Sequence, residues 1–101
     1  MAQVVITYWR DIPAQVTVKQ GRQAAKRQLT ERFEQAIDRA AMRAQLRDTD
    51  SYLAEWRRGD PLACGDDLEA EAAAAAARLE SDYPDERLNS LVVAGGLEKA
   101  S

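Results

Sequence analysis

Aromatic and cationic side chains with the potential for binding chemistry lie near the start of the chain. Trp9 and Arg10 are adjacent at the end of one β-rich run, and Lys19 lies near the end of the next. A ring flanked by cations can stack on a nucleic-acid base. Tryptophan and arginine also dominate protein interfaces. Because a single ring makes a poor stacking surface, the pattern favours a protein interface, or a tryptophan packed beneath a helix, over a nucleic-acid site.

The pairing of tryptophan with arginine recurs at Trp56, which Arg57 and Arg58 follow directly. We expect Trp56 to complete the core and the two arginines to stay exposed. A basic run can hold a phosphate or an acidic protein surface, or it can be a solvated link paired with the acidic half; it consists of Arg22, Lys26, Arg27 and then Arg32. The predicted partner-binding surface consists of Trp9, Arg10, Lys19, Arg22, Arg57 and Arg58.

The inventory of catalytic side chains is small, because the chain has no histidine and one cysteine, Cys64. Histidine is the commonest general base and metal ligand. A single cysteine forms neither an internal disulfide nor a multi-cysteine zinc site. The aspartate pairs at positions 48 and 50 and at 66 and 67 lie where helix N-caps are expected, so capping explains them without a metal. We expect a non-catalytic protein without cofactor or metal; the alternative is an enzyme that works through carboxylates or Cys64.

Length and charge set further bounds. A chain of 101 residues, 46% hydrophobic and 31% charged, is typical of one soluble domain with a modest core, predicted over residues 1–96 with a frayed tail at 97–101. Residues 1–59 carry a net charge of +4 and residues 60–101 a net charge of −7. Either the two halves neutralise each other, or the basic half meets an anionic partner. The mildly acidic total opposes general nucleic-acid binding.

Membrane and export signals are not expected. The sequence holds no apolar run of about 18 residues, the length that a membrane span needs. Met1, Ala2 and Gln3 lead into a strand pattern without the basic and apolar regions of a signal peptide. The expected location is the cytoplasm.

Two β-rich runs on either side of Pro13 predict an N-terminal hairpin. Because side chains alternate between the faces of a strand, one face of the hairpin is rich in valine and is the expected core side. Trp9 falls on the opposite face, near Thr17 and Lys19, where it is partly exposed unless a helix or a partner covers it. The expected core side consists of Val4, Ile6, Tyr8, Val16 and Val18.

Apolar residues at helical spacing predict helices in the rest of the chain. The first, capped by Thr30, has an apolar stripe at positions 33, 36, 37, 40 and 44. Beside it run arginines at 32, 39, 43 and 47, whose mutual repulsion predicts that something acidic faces them. A short helix is expected from about residue 50 to Arg58, a long one after Asp67, and a last one from Pro84 to Gly95.

Residues 62–65 are too few to assign, and they form either an extended connector or a brief third strand. The predicted fold class is α+β. Its N-terminal β-hairpin, with the possible short third strand, packs against three to four helices.

The string ITYWRDIPAQV at residues 6–16, continued by Gly21 and Arg22, resembles a small family of bacterial "virulence factor" proteins. Agreement extends through residues 32–33, 40–43, 55–58 and 65–71, so it covers most of the chain. Relatives are often encoded beside folate- and corrinoid-dependent one-carbon enzymes, including proteins resembling methylenetetrahydrofolate reductase. The resemblance therefore implies an accessory subunit, and it carries over no catalytic residue. The residue patterns themselves do not point to folate.

We accordingly expect a non-catalytic accessory subunit or protein-binding module that docks through the six predicted residues. The alternative is a small nucleic-acid or anion-binding protein that uses the same cations. Binding to phosphate should weaken steeply with salt, whereas a subunit interface with an apolar centre should persist. The sequence is also compatible with self-association into a homo-oligomer.

Overall fold

An antiparallel sheet, built mainly by the first 28 residues, forms the centre of the fold. The computed structural model describes residues 2–46 and 48–98. The elements are β1 (Ala2–Trp9), β2 (Ile12–Gln20), β3 (Gln23–Gln28), α1 (Glu31–Arg43), α2 (Thr49–Leu53), β4 (Trp56–Arg58), β5 (Leu62–Cys64), α3 (Leu68–Asp82) and α4 (Asp85–Val93).

The five strands include both predicted hairpin strands and the short third strand. The order across the sheet is β3, β2, β1 and β4, and β5 pairs with β1 further along the same edge as β4. β5 places Leu62 opposite Val4 and Cys64 opposite Ala2. The predicted α+β class is confirmed, with four helices in the described ranges.

Two strands differ from the sequence prediction. β3 occupies the basic run expected to be a link, and β4 occupies the end of the expected second helix, which stops at Leu53 instead of Arg58. Neither segment has the apolar alternation that identifies a strand, because β3 holds two adjacent alanines among polar residues and β4 is a tryptophan followed by two arginines. Their strand conformation comes from pairing with β2 and β1.

Pro13 is tolerated in β2 because it lies beyond the end of the ladder with β3, next to a bulge in the ladder with β1. Thr7 lies opposite Gln15 but Tyr8 lies opposite Pro13, so Ala14 is the extra residue. β3 pairs with β2 no further than Gln28, opposite Gln15. Pro13 therefore lies past the end of that ladder, where its missing N–H removes no strand hydrogen bond.

The face of the sheet predicted from the valines lies in the core. Val16 and Val18 are fully buried, and Val4 and Ile6 are half-buried against the same cluster. Tyr8, the fifth residue predicted for this face, is half-buried outside that cluster. α3 packs on β2 and β3, and α1 packs on β2 and α4. No helix within residues 2–46 and 48–98 combines the length and apolarity needed to cross a bilayer.

The predicted helix caps are confirmed at two aspartates. Asp48 accepts a hydrogen bond from the Ser51 N–H at 3.0 Å, and Asp67 accepts one from the Ala70 N–H at 3.2 Å. Hydrogen bonds from the Ser51 hydroxyl and backbone lower the pKa of Asp48. Both carboxylates thus satisfy N–H groups that the first turn of a helix leaves free.

Among the described arginines of the predicted stripe, only Arg32 meets an acidic surface. Arg32 pairs with Glu80 at 3.1 Å and with Asp85 at 3.2 Å. Burial acts to raise the pKa of Glu80, but hydrogen bonds from Thr30 and Arg32 outweigh it and lower that pKa. Arg39 and Arg43 form no ion pair with any described carboxylate, and position 47 lies outside the described residues.

Candidate protein-binding surface

Trp9 lies in the core, so of the two placements that the sequence favoured, the tryptophan packed beneath a helix is observed, and the ring predicted to bind a partner is not accessible to one. Its side chain has no solvent-exposed surface. The indole N–H donates to the Tyr52 carbonyl at 3.0 Å, and the two rings stack with centroids 5.6 Å apart. Trp9 lies opposite Ile12 in the sheet, away from Thr17 and Lys19. A helix, α2, therefore provides the cover that the sequence left unspecified.

Arg10 also turns inward, and only 14% of its side chain is exposed. Its guanidinium donates to the Gly95 carbonyl at 2.9 Å and to Glu55 at 3.1 Å, and it lies 5.3 Å from the centre of the Trp9 ring. Its φ of 53° is left-handed, at a hairpin position where glycine is favoured. These contacts hold the guanidinium against the core and leave little of the Arg10 side chain for a partner to contact.

Arg57 completes the same cluster from β4. It is half-exposed, as predicted, but it donates to the Arg10 carbonyl at 2.9 Å and to Asp11 at 3.1 Å. Asp11 also accepts from the Glu98 N–H at 2.6 Å, which ties residue 98 of the predicted tail to the hairpin; residues 99–101 lie outside the described part of the chain. We call Trp9, Arg10, Asp11, Arg57, Gly95 and Gly96 the turn cluster. Its contacts are those of a structural element.

Lys19 and Arg58 lie on a different surface, where Lys26 joins them. Thr7 is opposite Arg58 and Thr17 is opposite Lys26, so the pairing brings the three cations to one face of the sheet. All three side chains are exposed. Between them lies a depression of about 110 Å³. We call its lining the open face: Val5, Thr7, Gln15, Thr17, Lys19, Lys26 and Arg58.

The charge of the open face is positive and not neutralised. Within residues 2–46 and 48–98, Lys19, Lys26 and Arg58 form no ion pair. Arg22 is exposed at the β2–β3 turn, close in sequence to Lys19. Three of the six predicted site residues thus lie on or beside this face, and three lie in the turn cluster. Lys26 was predicted only as a member of the basic run, and its position beside Lys19 and Arg58 was not predicted because its segment was not expected to be a strand.

The open face adjoins a larger cavity that carries acidic side chains. Thr7 and Gln15 also line this cavity of about 240 Å³, together with Tyr52, Trp56 and the carboxylates of Glu34 and Asp38. Burial raises the pKa of Tyr52, and the charges of Asp38 and Glu34 raise it further. Trp56 is half-buried and packs against the core, as predicted. The surface therefore carries cations at one end and carboxylates at the other.

A second exposed surface, apolar in character, lies on the helices. Met42, Val93 and Leu97 expose 78%, 62% and 49% of their surface. Val93 and Leu97 line a cavity of about 540 Å³ beside Arg87. None of the six predicted site residues lies here.

Cys64 lacks the surroundings of a reactive thiol. Partial burial raises its pKa, and the carboxylates of Glu71 and Asp66 raise it further. A nucleophilic thiolate needs the opposite shift. Within the part of the chain that the structure describes, no three side chains of the metal-binding types converge on one point.

Comparison with known proteins gives one result that bears on this surface. Residues 7–92 match a family model described as "Virulence factor". No curated protein and no solved structure matches the chain. The matched range includes every residue of the open face except Val5.

Proposed function

Since the chain belongs to the virulence factor family, we propose that it is a non-catalytic accessory subunit, a protein-binding module that contacts an acidic partner surface through the open face. The observation that carries the proposal is the group formed by Lys19, Lys26 and Arg58, exposed together without a described counter-charge. Like charges on one sheet face destabilise each other. An acidic partner removes that repulsion.

Two features favour a protein over a nucleic acid as the partner. Binding to single-stranded nucleic acid relies on stacking of bases on aromatic rings, whereas Trp9 is buried and no member of the open face is aromatic. The rings of the adjoining cavity, Tyr52 and Trp56, pack against the core. Glu34 and Asp38 at the far end of the same surface would repel a phosphate backbone. A protein surface can present acidic residues to one end and basic residues to the other.

The chemistry of the side chains supports a non-catalytic role. The chain has no histidine, and the pKa of the Cys64 thiol is raised. We extend the proposal to the partner and compartment that the sequence predicts: a folate-dependent one-carbon enzyme resembling methylenetetrahydrofolate reductase, in the cytoplasm. This extension is supported by the family resemblance rather than by any feature of the open face.

Charge reversal on the open face should abolish partner capture. The tagged chain and a Lys19→Glu/Arg58→Glu variant are purified from the native host at physiological salt after nuclease treatment, and co-purifying proteins are identified. Because two attractions become repulsions, we expect the variant to retain less than about a tenth of the partner. Arg78→Glu is the matched control, since Arg78 is an exposed arginine on α3.

Two results would contradict the proposal. Equal capture by the double variant and the wild-type chain would show that the open face is not the contact surface. Capture of nucleic acid alone, lost steeply as salt is raised, would favour the rival nucleic-acid function.

A further inference from the structure

The edge of the sheet beside the open face is unpaired. β3 ends the strand order, and its six residues pair only with β2 among the described elements. α3 packs against β3, where Ala25 is buried, while the other five residues of the strand are exposed. Backbone groups along this edge are therefore open to solvent.

Hydrogen-bonded and non-hydrogen-bonded residue pairs alternate between β2 and β3, and this alternation identifies the backbone groups that face the edge. A two-residue turn joins Gln20 to Gln23, which makes that pair the first hydrogen-bonded pair of the hairpin. The Leu29 N–H donates to the Ala14 carbonyl at 3.1 Å, so this pair is also hydrogen-bonded, as the alternation from Gln20 and Gln23 requires. The alternation in between leaves the N–H and C=O groups of Ala24, Lys26 and Gln28 directed away from the sheet.

We propose that β3 accepts an additional strand, supplied by an extended acidic segment of the partner protein. This inference rests on the proposed function and specifies how the partner is held. Ala24, Lys26 and Gln28 direct their backbone groups to the edge and their side chains to the side of the open face. A strand paired with them places its own carboxylates beside Lys26, where cross-strand charge pairs are favourable.

Charge also argues against a second copy of this chain as the added strand. Lys26 and Arg27 are adjacent and exposed in β3. Pairing of β3 with β3 of another copy would bring these cations together, and like charges on paired strands are destabilising. An acidic segment reverses the sign of the same contacts.

The test uses a capped peptide of alternating threonine and glutamate as the probe, titrated into the full-length protein. Ala24→Pro removes one outward N–H that no described residue uses, so the sheet retains its own hydrogen bonds. We expect the peptide to bind Ala24→Pro at least about tenfold more weakly than wild type, because a pairing donor is lost and the ring obstructs the edge. Ala24→Val, which keeps the N–H, is the matched control and should bind like wild type.

Amide hydrogen exchange provides a second readout that needs no substitution. The peptide should slow exchange at Ala24, Lys26 and Gln28 by at least about tenfold, since these amides become hydrogen-bonded. Gln28→Pro repeats the test at the other end of the edge should Ala24→Pro fail to fold.

Three outcomes would overturn strand addition. One is a failure of the peptide to bind the wild-type chain or to protect those amides. Another is that the peptide binds Ala24→Pro as tightly as wild type but binds Lys26→Glu more weakly. The peptide would then be attracted by charge alone, and the proposed function would still stand. The third is peptide-independent dimerisation that Ala24→Pro abolishes, which would make a second copy the occupant. Failure of the proposed function is seen separately, in capture from the host.

Discussion

Replacing Trp9 with alanine should lower the free energy of unfolding by about 3–5 kcal/mol, the cost of removing a large buried aromatic side chain. That is a large fraction of the stability of a small domain, which is about 5–15 kcal/mol. The ring is completely buried, stacks on Tyr52 and donates to its carbonyl. Urea unfolding of the purified variant measures the change.

Leu53→Ala is the control for the Trp9 prediction. Leu53 lies in α2 just after Tyr52 but is 54% exposed, so its truncation should change the free energy of unfolding by less than about 1 kcal/mol. If Trp9→Ala unfolded like wild type and instead lost partner capture, the ring would be a surface contact and the buried placement would be contradicted.

The second large effect is expected when Gly96, which packs directly against the Trp9 ring, is replaced by alanine. A Cβ added there would lie 2.7 Å from Trp9 Cζ3 and 3.3 Å from Arg10 Cδ, and its φ is 93°. Overpacking costs about 1–3 kcal/mol, and a left-handed conformation costs a non-glycine residue about 1–2 kcal/mol more. Gly96→Ala should therefore destabilise the fold by about 2–5 kcal/mol, seen as a lower melting temperature.

Gly21→Ala separates the two contributions at Gly96. Gly21 also has a left-handed φ, 60°, but no atom lies within 4 Å of the position its Cβ would take. Only the backbone cost applies, so the loss should be about 1–2 kcal/mol. Equal melting temperatures for the two variants would mean that Gly96 does not pack against Trp9.

The hairpin and its core face could be predicted because alternation is a local signal. Val16 and Val18 are buried as expected, and Trp9 does fall on the opposite face. What covers Trp9 could not be predicted, because the cover comes from Tyr52 and Gly96, remote in sequence. The alternation of side chains along a strand shows on which face of the sheet a residue lies, but whether that residue is buried depends on tertiary packing.

The candidate site could be predicted only in part for a similar reason. Lys19 and Arg58 were selected as cations near tryptophans, whereas their common surface comes from strand pairing. Lys26 joins them through β3, a polar strand whose sequence has no alternating apolar pattern. Strand register, which brings these residues together, depends on contacts that no local pattern encodes.

Site-specific cross-linking tests the open face most directly, because Cys64 is the chain's single cysteine. In a Cys64→Ser background, Val5→Cys carries a photoreactive label onto the open face and leaves its three cations in place, and Arg78→Cys carries the same label to exposed α3. We predict that, in host lysate, the label at position 5 cross-links to a protein partner and the label at position 78 does not. A protein cross-link from position 78 alone, or a cross-link from position 5 to nucleic acid alone, would contradict the account.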